Sequence, residues 1–104
     1  MIDKLMRIFG VQPKVNLADL IKSGAVILDV RTKGEYSSGH VKGSVNIPLD
    51  RLPDQMKKLD KNKAIITCCA SGMRSAAAKG ALKSAGFKEV HNGGSWGKVN
   101  NLMK

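Results

Sequence analysis

The chain has 104 residues, 42% of them apolar, and a formal net charge of +10 from 18 Lys and Arg against 8 Asp and Glu. That length suits one domain with a modest hydrophobic core, and the apolar fraction excludes a disordered chain. No apolar run is long enough to span a membrane, and the charges spread through Met1–Phe9, with no small-residue cleavage site after them, argue against a secretory leader, so a cytoplasmic location is expected.

In chain order, residues 3–9 are read as one or two amphipathic helical turns with Leu5, Ile8 and Phe9 on one side, ended by Gly10 and Pro13. Asn16 is a suitable N-cap for a short helix over 17–23 that Gly24 stops. Ala25–Val30 is a continuous, β-branched run between turn residues, which predicts a buried parallel strand. Thr32 followed by Glu35 predicts a capping box opening a short helix that Gly39 closes. Val45–Ile47 is a brief strand stopped by Pro48, and 49–59 reads as one or two short helices. Ala64–Cys68 is the second strong strand. An alanine-rich helix follows over 74–84, ending near Gly86. Glu89–His91 is a last short strand, followed by Gly93-Gly94 and a C-terminal helix from Ser95. Strands alternating with short helices predict a small α/β domain with a central, mainly parallel sheet.

The chemistry concentrates in Cys68-Cys69-Ala70-Ser71-Gly72-Met73-Arg74-Ser75. Here a strand gives way to a helix, the junction at which open parallel sheets hold anions. A thiol is nucleophilic as its thiolate. Around Cys69 the amides of Ala70 to Ser75 can form an anion nest, the following helix brings its positive end, and Arg74 brings a permanent charge with forked donors. Gly72 permits a positive φ in a tight cradle, and the small Ala70 and Ser71 are expected to leave its mouth open. Cys68, inside the strand pattern, is read as a buried structural thiol. The two cysteines are adjacent, so they make neither a disulfide framework nor a zinc site, and no metal or cofactor is implied.

The positive charge raises nucleic-acid binding, but the lysines are scattered and one Trp, one Tyr and two Phe are too few for a base-stacking platform. A solvated basic surface that attracts small anions is the better reading.

These residues carry a resemblance. Asp29-Val30-Arg31, Glu35-Tyr36, Gly39-His40-Val41, Gly43-Ser44 and Asn46-Ile47-Pro48, in that order, closely resemble the signature of the rhodanese (thiosulfate sulfurtransferase) superfamily. Cys69–Ser75 is similar to its active-site loop and Asn92-Gly93-Gly94-Ser95-Trp96 to its closing element, with Val41 and Ser44 replacing the commoner Ile and Ala. The resemblance implies a rhodanese-like domain over 13–104 with residues 1–12 as an extension. It also implies Cys69 as the residue that accepts a sulfane sulfur as a persulfide. The amides of Ala70, Ser71, Gly72, Met73, Arg74 and Ser75 would then cradle that sulfur, and Arg74 would bind the anionic donor.

Four residues separate Cys69 from Arg74, as in sulfur-transferring members, whereas related phosphatases and arsenate reductases have a loop longer by one. The implied partners are thiosulfate or another persulfide or polysulfide donor and a thiol acceptor such as a thioredoxin-like protein. The alternatives are a persulfide carrier without turnover and an arsenate-reductase- or phosphatase-like cysteine enzyme. Asp29, Arg31, Glu35 and His40 are read as scaffold, with Arg31 and Glu35 pairing across a turn and His40 capping carbonyls. His91 and Trp96 are read as packing residues.

Overall fold

A computed structural model describes residues 15–104; the helix read over 3–9 and the 1–12 extension lie outside the described residues. The elements are α1 (Leu17–Lys22), β1 (Val26–Asp29), α2 (Lys33–Ser37), β2 (Val45–Asn46), α3 (Leu52–Gln55) between two short 3₁₀ turns, β3 (Ile65–Cys69), α4 (Met73–Ser84), β4 (Val90–Ser95) and α5 (Trp96–Leu102). The four strands form one sheet in the order β2-β1-β3-β4, every neighbouring pair parallel. This is the α/β architecture expected from the alternation of strands and helices.

The expected caps are present. Asn16 Oδ1 accepts from the Asp19 amide at 3.2 Å at the start of α1. At α2, Thr32 and Glu35 make the reciprocal capping box, with the Glu35 amide 3.2 Å from Thr32 Oγ1 and the Thr32 amide 3.0 Å from Glu35 Oε1. Each satisfies backbone donors that a helix start leaves unpaired.

Helices cover both sheet faces, which is why β1 and β3 read as unbroken apolar runs. One face carries Leu28, Ile65 and Cys69 against Leu52, Ala78, Leu82 and Phe87. The other carries Ile27, Ile66 and Cys68 against Val41 and Val99, with Leu17, Leu20 and Trp96 packed on them. The period of two along a strand therefore sends Cys68 and Cys69 to opposite sides of the sheet.

Two boundaries differ from expectation. β3 extends to Cys69, so the thiol closes the strand instead of heading the loop. β4 runs on through Gly93 and Gly94 to Ser95, past His91, where the strand was expected to end. The reason lies in crowding beneath the strand. A Cβ at Gly93 would stand 2.7 Å from Val99 Cγ2 and 2.8 Å from Ile66 Cγ2, closer than carbon atoms approach, so only glycine lets β4 lie against β3 and α5.

Candidate active site

The carboxyl end of β3, the loop 70–72 and the first turn of α4 converge on one sulfur. Gly72 takes φ +102°, the left-handed conformation expected of it, and this folds the loop back so that its amide lies 3.0 Å from Cys69 Sγ. The Ser75 amide, in the first turn of α4, is 3.4 Å from the same sulfur, and Ser75 Oγ is 3.5 Å away. Thr67 Oγ1 donates to the Ser75 carbonyl at 2.9 Å, tying that turn to β3. Burial alone would push the Cys69 thiol up, but the Ser75 hydroxyl, then the Ser75, Gly72 and Ser71 amides, outweigh it and leave the pKa below its ordinary value. The sulfur's hydrogen bonds thus come from part of the expected nest rather than from all six amides.

Cys68 behaves oppositely. Its thiol is fully buried on the far face, where burial first and then the nearby Asp29 carboxylate push it up to about 12. It stays protonated at neutral pH and cannot reach Cys69 around the strand. The structural role read for it stands.

The open mouth is a correction: Cys69 has zero solvent exposure. Donors that approach within 3.0 Å of a sulfur leave no room for water beside it, so the same amides that stabilise the anion close over it. The cover is polar and thin, because Ala70, Ser71 and Met73 are themselves exposed, Met73 to 80%.

Asn92, at the bend of β4, holds the loop from outside. Its Oδ1 accepts from Ser75 Oγ at 2.6 Å and from the Gly94 amide at 2.9 Å, while its Nδ2 donates to the Gly72 carbonyl at 3.3 Å. Ser75 Oγ also lies 3.0 Å from the Gly72 carbonyl, so its proton has Asn92 and Gly72 as acceptors while Cys69 is a thiol, and can rotate to the sulfur once it ionises. Sequence reasoning placed Asn92 in the closing motif without giving it this task; its position before two glycines was the available signal.

Arg74 is held from α2. Its Nη1 and Nη2 donate to Glu35 Oε1 at 2.6 Å and Oε2 at 2.9 Å, a bidentate pair between half-exposed side chains. Arg74 first, then the Thr32 amide, hold the Glu35 carboxyl at about 2. Since that lies below the unfolded value of 4.5, the pair's stabilisation is complete above pH 4.5 and disappears as pH falls through about 2.

The expected Arg31–Glu35 side-chain pair is not formed. Arg31 instead grips Asp29, Nε at 2.9 Å from Oδ1 and Nη2 at 2.7 Å from Oδ2, with both residues buried. Asp29 and Arg31 lie two apart on extended backbone and so share a face, whereas the four-residue spacing to Glu35 pairs side chains only inside a helix, and α2 begins at Lys33. Arg31 also donates to the Glu35 and Gly39 carbonyls at 3.2 and 2.7 Å and lies over the Trp96 ring at 4.8 Å. It fastens the C-terminal half of α2 and the turn after it to the end of β1 and so positions Glu35. His40 Nδ1 is 2.7 Å from the Tyr36 carbonyl, the carbonyl-capping contact expected of it.

A family model for the rhodanese-like domain matches residues 14–97. The chain belongs to the rhodanese-like family. A putative sulfur carrier protein of Bacillus subtilis strain 168 is 42% identical over 66 residues, 64% of this chain and 36% of that protein. A thiosulfate sulfurtransferase of Stutzerimonas stutzeri is 34% identical over 70 residues, 67% of this chain and 64% of that one. The solved structure of a rhodanese with anions from E. coli matches with a TM-score of 0.68 at 31% identity, covering 72% of this chain and 91% of that one. The chain spans 36%, 54% and 64% of three curated relatives' lengths, so the match is to a domain and not to their whole extent.

Within this rhodanese-like domain, Ser75→Ala is expected to raise the Cys69 pKa by removing the strongest group that lowers it. At neutral pH the thiolate fraction and the alkylation rate fall, and both recover as pH is raised. A rate-against-pH profile by mass spectrometry checks this; an unshifted midpoint would show that the hydroxyl does not stabilise the anion. Among the described residues no cluster of three or more His, Cys, Asp or Glu could hold a metal, and no helix is long and apolar enough to cross a membrane.

Proposed function

We propose that this rhodanese-like domain is a sulfurtransferase that carries a sulfane sulfur on Cys69. The observation that carries the reading is the Cys69 sulfur beneath the Gly72 and Ser75 amides at the end of β3. The Cys69 thiolate attacks the outer sulfur of the donor. With thiosulfate, a new S–S bond forms to Cys69, the donor's S–S bond breaks, and sulfite leaves with the bonding pair, so a thiolate and a dianion become a persulfide anion and a dianion. A thiophilic acceptor then takes the terminal sulfur and restores the thiolate. Cyanide would do so as thiocyanate, and a thioredoxin-like thiol would do so through its own persulfide. The amides of Ala70, Ser71, Gly72, Met73, Arg74 and Ser75 are the cradle for the anionic terminal sulfur. Arg74 binds the oxyanion end of the donor, since its pair with Glu35 uses two of five guanidinium donors. A chain with an inert Cys68 and a reactive Cys69 suits a reducing compartment such as the cytoplasm.

Phosphate-ester hydrolysis or arsenate reduction is disfavoured, because four residues between Cys69 and Arg74 already close the loop onto the sulfur. A persulfide carrier remains the second reading, favoured by the resemblance to the putative sulfur carrier protein. The test is double displacement. Thiosulfate should add one sulfur to the protein, and cyanide should remove it with many turnovers in parallel-line kinetics. Stoichiometric loading without turnover would favour the carrier, and no loading would overturn both.

A further inference from the structure

The two cations at the site are both neutralised by side chains of this chain. Arg31 is paired with buried Asp29, and Arg74 with Glu35. Glu35 cannot swing aside freely, because its Oε1 also accepts from the Thr32 amide at 3.0 Å and the Thr32 hydroxyl at 3.1 Å. Among the described residues, the anion at Cys69 is therefore held by hydrogen bonds from neutral dipoles, with Arg74 already paired, despite the +10 of the whole chain. The cradle is matched to a single negative charge. A donor bringing a second one must place it at Arg74, where the Glu35 carboxylate already sits.

A cleft beside Arg74 adds an independent constraint. It has a volume of about 300 Å³ and is lined by Val30, Thr32, Pro48, Leu49, Asp50 and Arg74. Most of its wall is hydrocarbon, and the charged group it offers besides Arg74 is an exposed acid, Asp50. The hydrocarbon wall accommodates an apolar substituent, while Lys33 and Arg51 lie in the adjoining hollow that shares Thr32, Pro48 and Asp50.

We propose that Glu35 is a specificity-determining residue that turns the site toward monoanionic organic sulfane-sulfur donors, whose hydrocarbon group occupies the cleft beside Arg74, and away from dianionic thiosulfate. The inference rests on the sulfurtransferase reading and refines its donor. With an organic thiosulfonate the Cys69 thiolate forms an S–S bond to the terminal sulfur, the donor's S–S bond breaks, and the sulfinate departs with the electron pair. Charge and atoms balance as they do for thiosulfate, with one negative charge fewer on each side.

The probes are thiosulfate, a dianion, and benzenethiosulfonate, a monoanion bearing an aromatic ring. Each is assayed with cyanide as acceptor, and each rate is normalised to that donor's reaction with a simple thiol in solution. Glu35→Gln is expected to raise kcat/KM for thiosulfate about tenfold, mostly through KM, while benzenethiosulfonate changes less than about twofold. The gain should shrink as salt is added. Asn16→Ala, which loses a helix cap at α1 on the other face of the sheet, should leave the ratio of the two donors unchanged. Should Glu35→Gln not fold, Asp50→Asn in the lining of the cleft is expected to shift the ratio in the same direction by a smaller factor. An unchanged ratio in the Glu35 and Asp50 variants, or an equal shift in Asn16→Ala, overturns the inference while leaving the sulfurtransferase reading intact. If wild type takes sulfur from neither donor, that reading falls, and the inference with it.

Discussion

Cys69→Ser is expected to abolish sulfur loading from any donor and to lower steady-state turnover by on the order of a thousandfold or more. A serine hydroxyl remains protonated where the cysteine sulfur ionises, and its oxygen cannot hold a transferable sulfur. The fold should persist, because the substitution is nearly isosteric and a hydroxyl can accept from the Gly72 and Ser75 amides that now lie 3.0 and 3.4 Å from the sulfur. Intact-mass measurement after incubation with donor separates the two proteins: one added sulfur on wild type, none on the variant. Cys68→Ala is the matched control, since that thiol is buried on the far face and pushed up to about 12. It should lose some stability to the cavity and still load. Equal loading of Cys69→Ser and wild type would remove Cys69 from the chemistry.

Asp29→Ala is expected to cost about 3–5 kcal/mol of stability, the largest effect of any single side chain in the scaffold, because it leaves a buried guanidinium without its counter-charge. Asp29 is fully buried and Arg31 is 4% exposed. The carboxylate accepts from Arg31 Nε, from Arg31 Nη2 and, through Oδ1, from the Arg31 amide at 3.0 Å. Its loss releases a charge-assisted network that also reaches the Glu35 and Gly39 carbonyls. Urea unfolding should show a lowered midpoint with little change in slope. Asp29→Ala/Arg31→Met, which removes both charges, should recover much of the loss. If Asp29→Ala destabilises by less than about 1 kcal/mol, the pair is not what anchors α2.

The outline of the fold was legible because its signals are local. Thr32 and Glu35, three apart, form the capping box; Asn16 caps α1; the β-branched runs become β1 and β3. The reactive position was legible for the same reason, since Cys69, Gly72 and Ser75 fall within seven consecutive residues at a strand-to-helix turn. What escaped is long-range or depends on packing. The Arg74–Glu35 clamp joins residues 39 apart, and Asn92 reaches the loop from 20 positions away. Their apposition follows from the parallel β1-β3-β4 order, which no local spacing encodes. Gly93 and Gly94 lie beyond the short strand that the sequence predicts, since propensity disfavours glycine in strands, yet Val99 and Ile66 leave space for nothing larger at Gly93. The closed mouth escaped for a related reason: small side chains at 70 and 71 predict room, whereas backbone amides drawn to the sulfur fill it.

The rate of Cys69 alkylation as a function of pH, followed by peptide mass spectrometry under reducing conditions, puts the most weight on the electrostatic account. Hydrogen bonds from Ser75, Gly72 and Ser71 predict a midpoint below the free-thiol value of 9.0, with Cys68 unmodified across the same range. A midpoint at or above 9.0 would mean that burial dominates those bonds, and that no persulfide-forming thiolate is held at the end of β3.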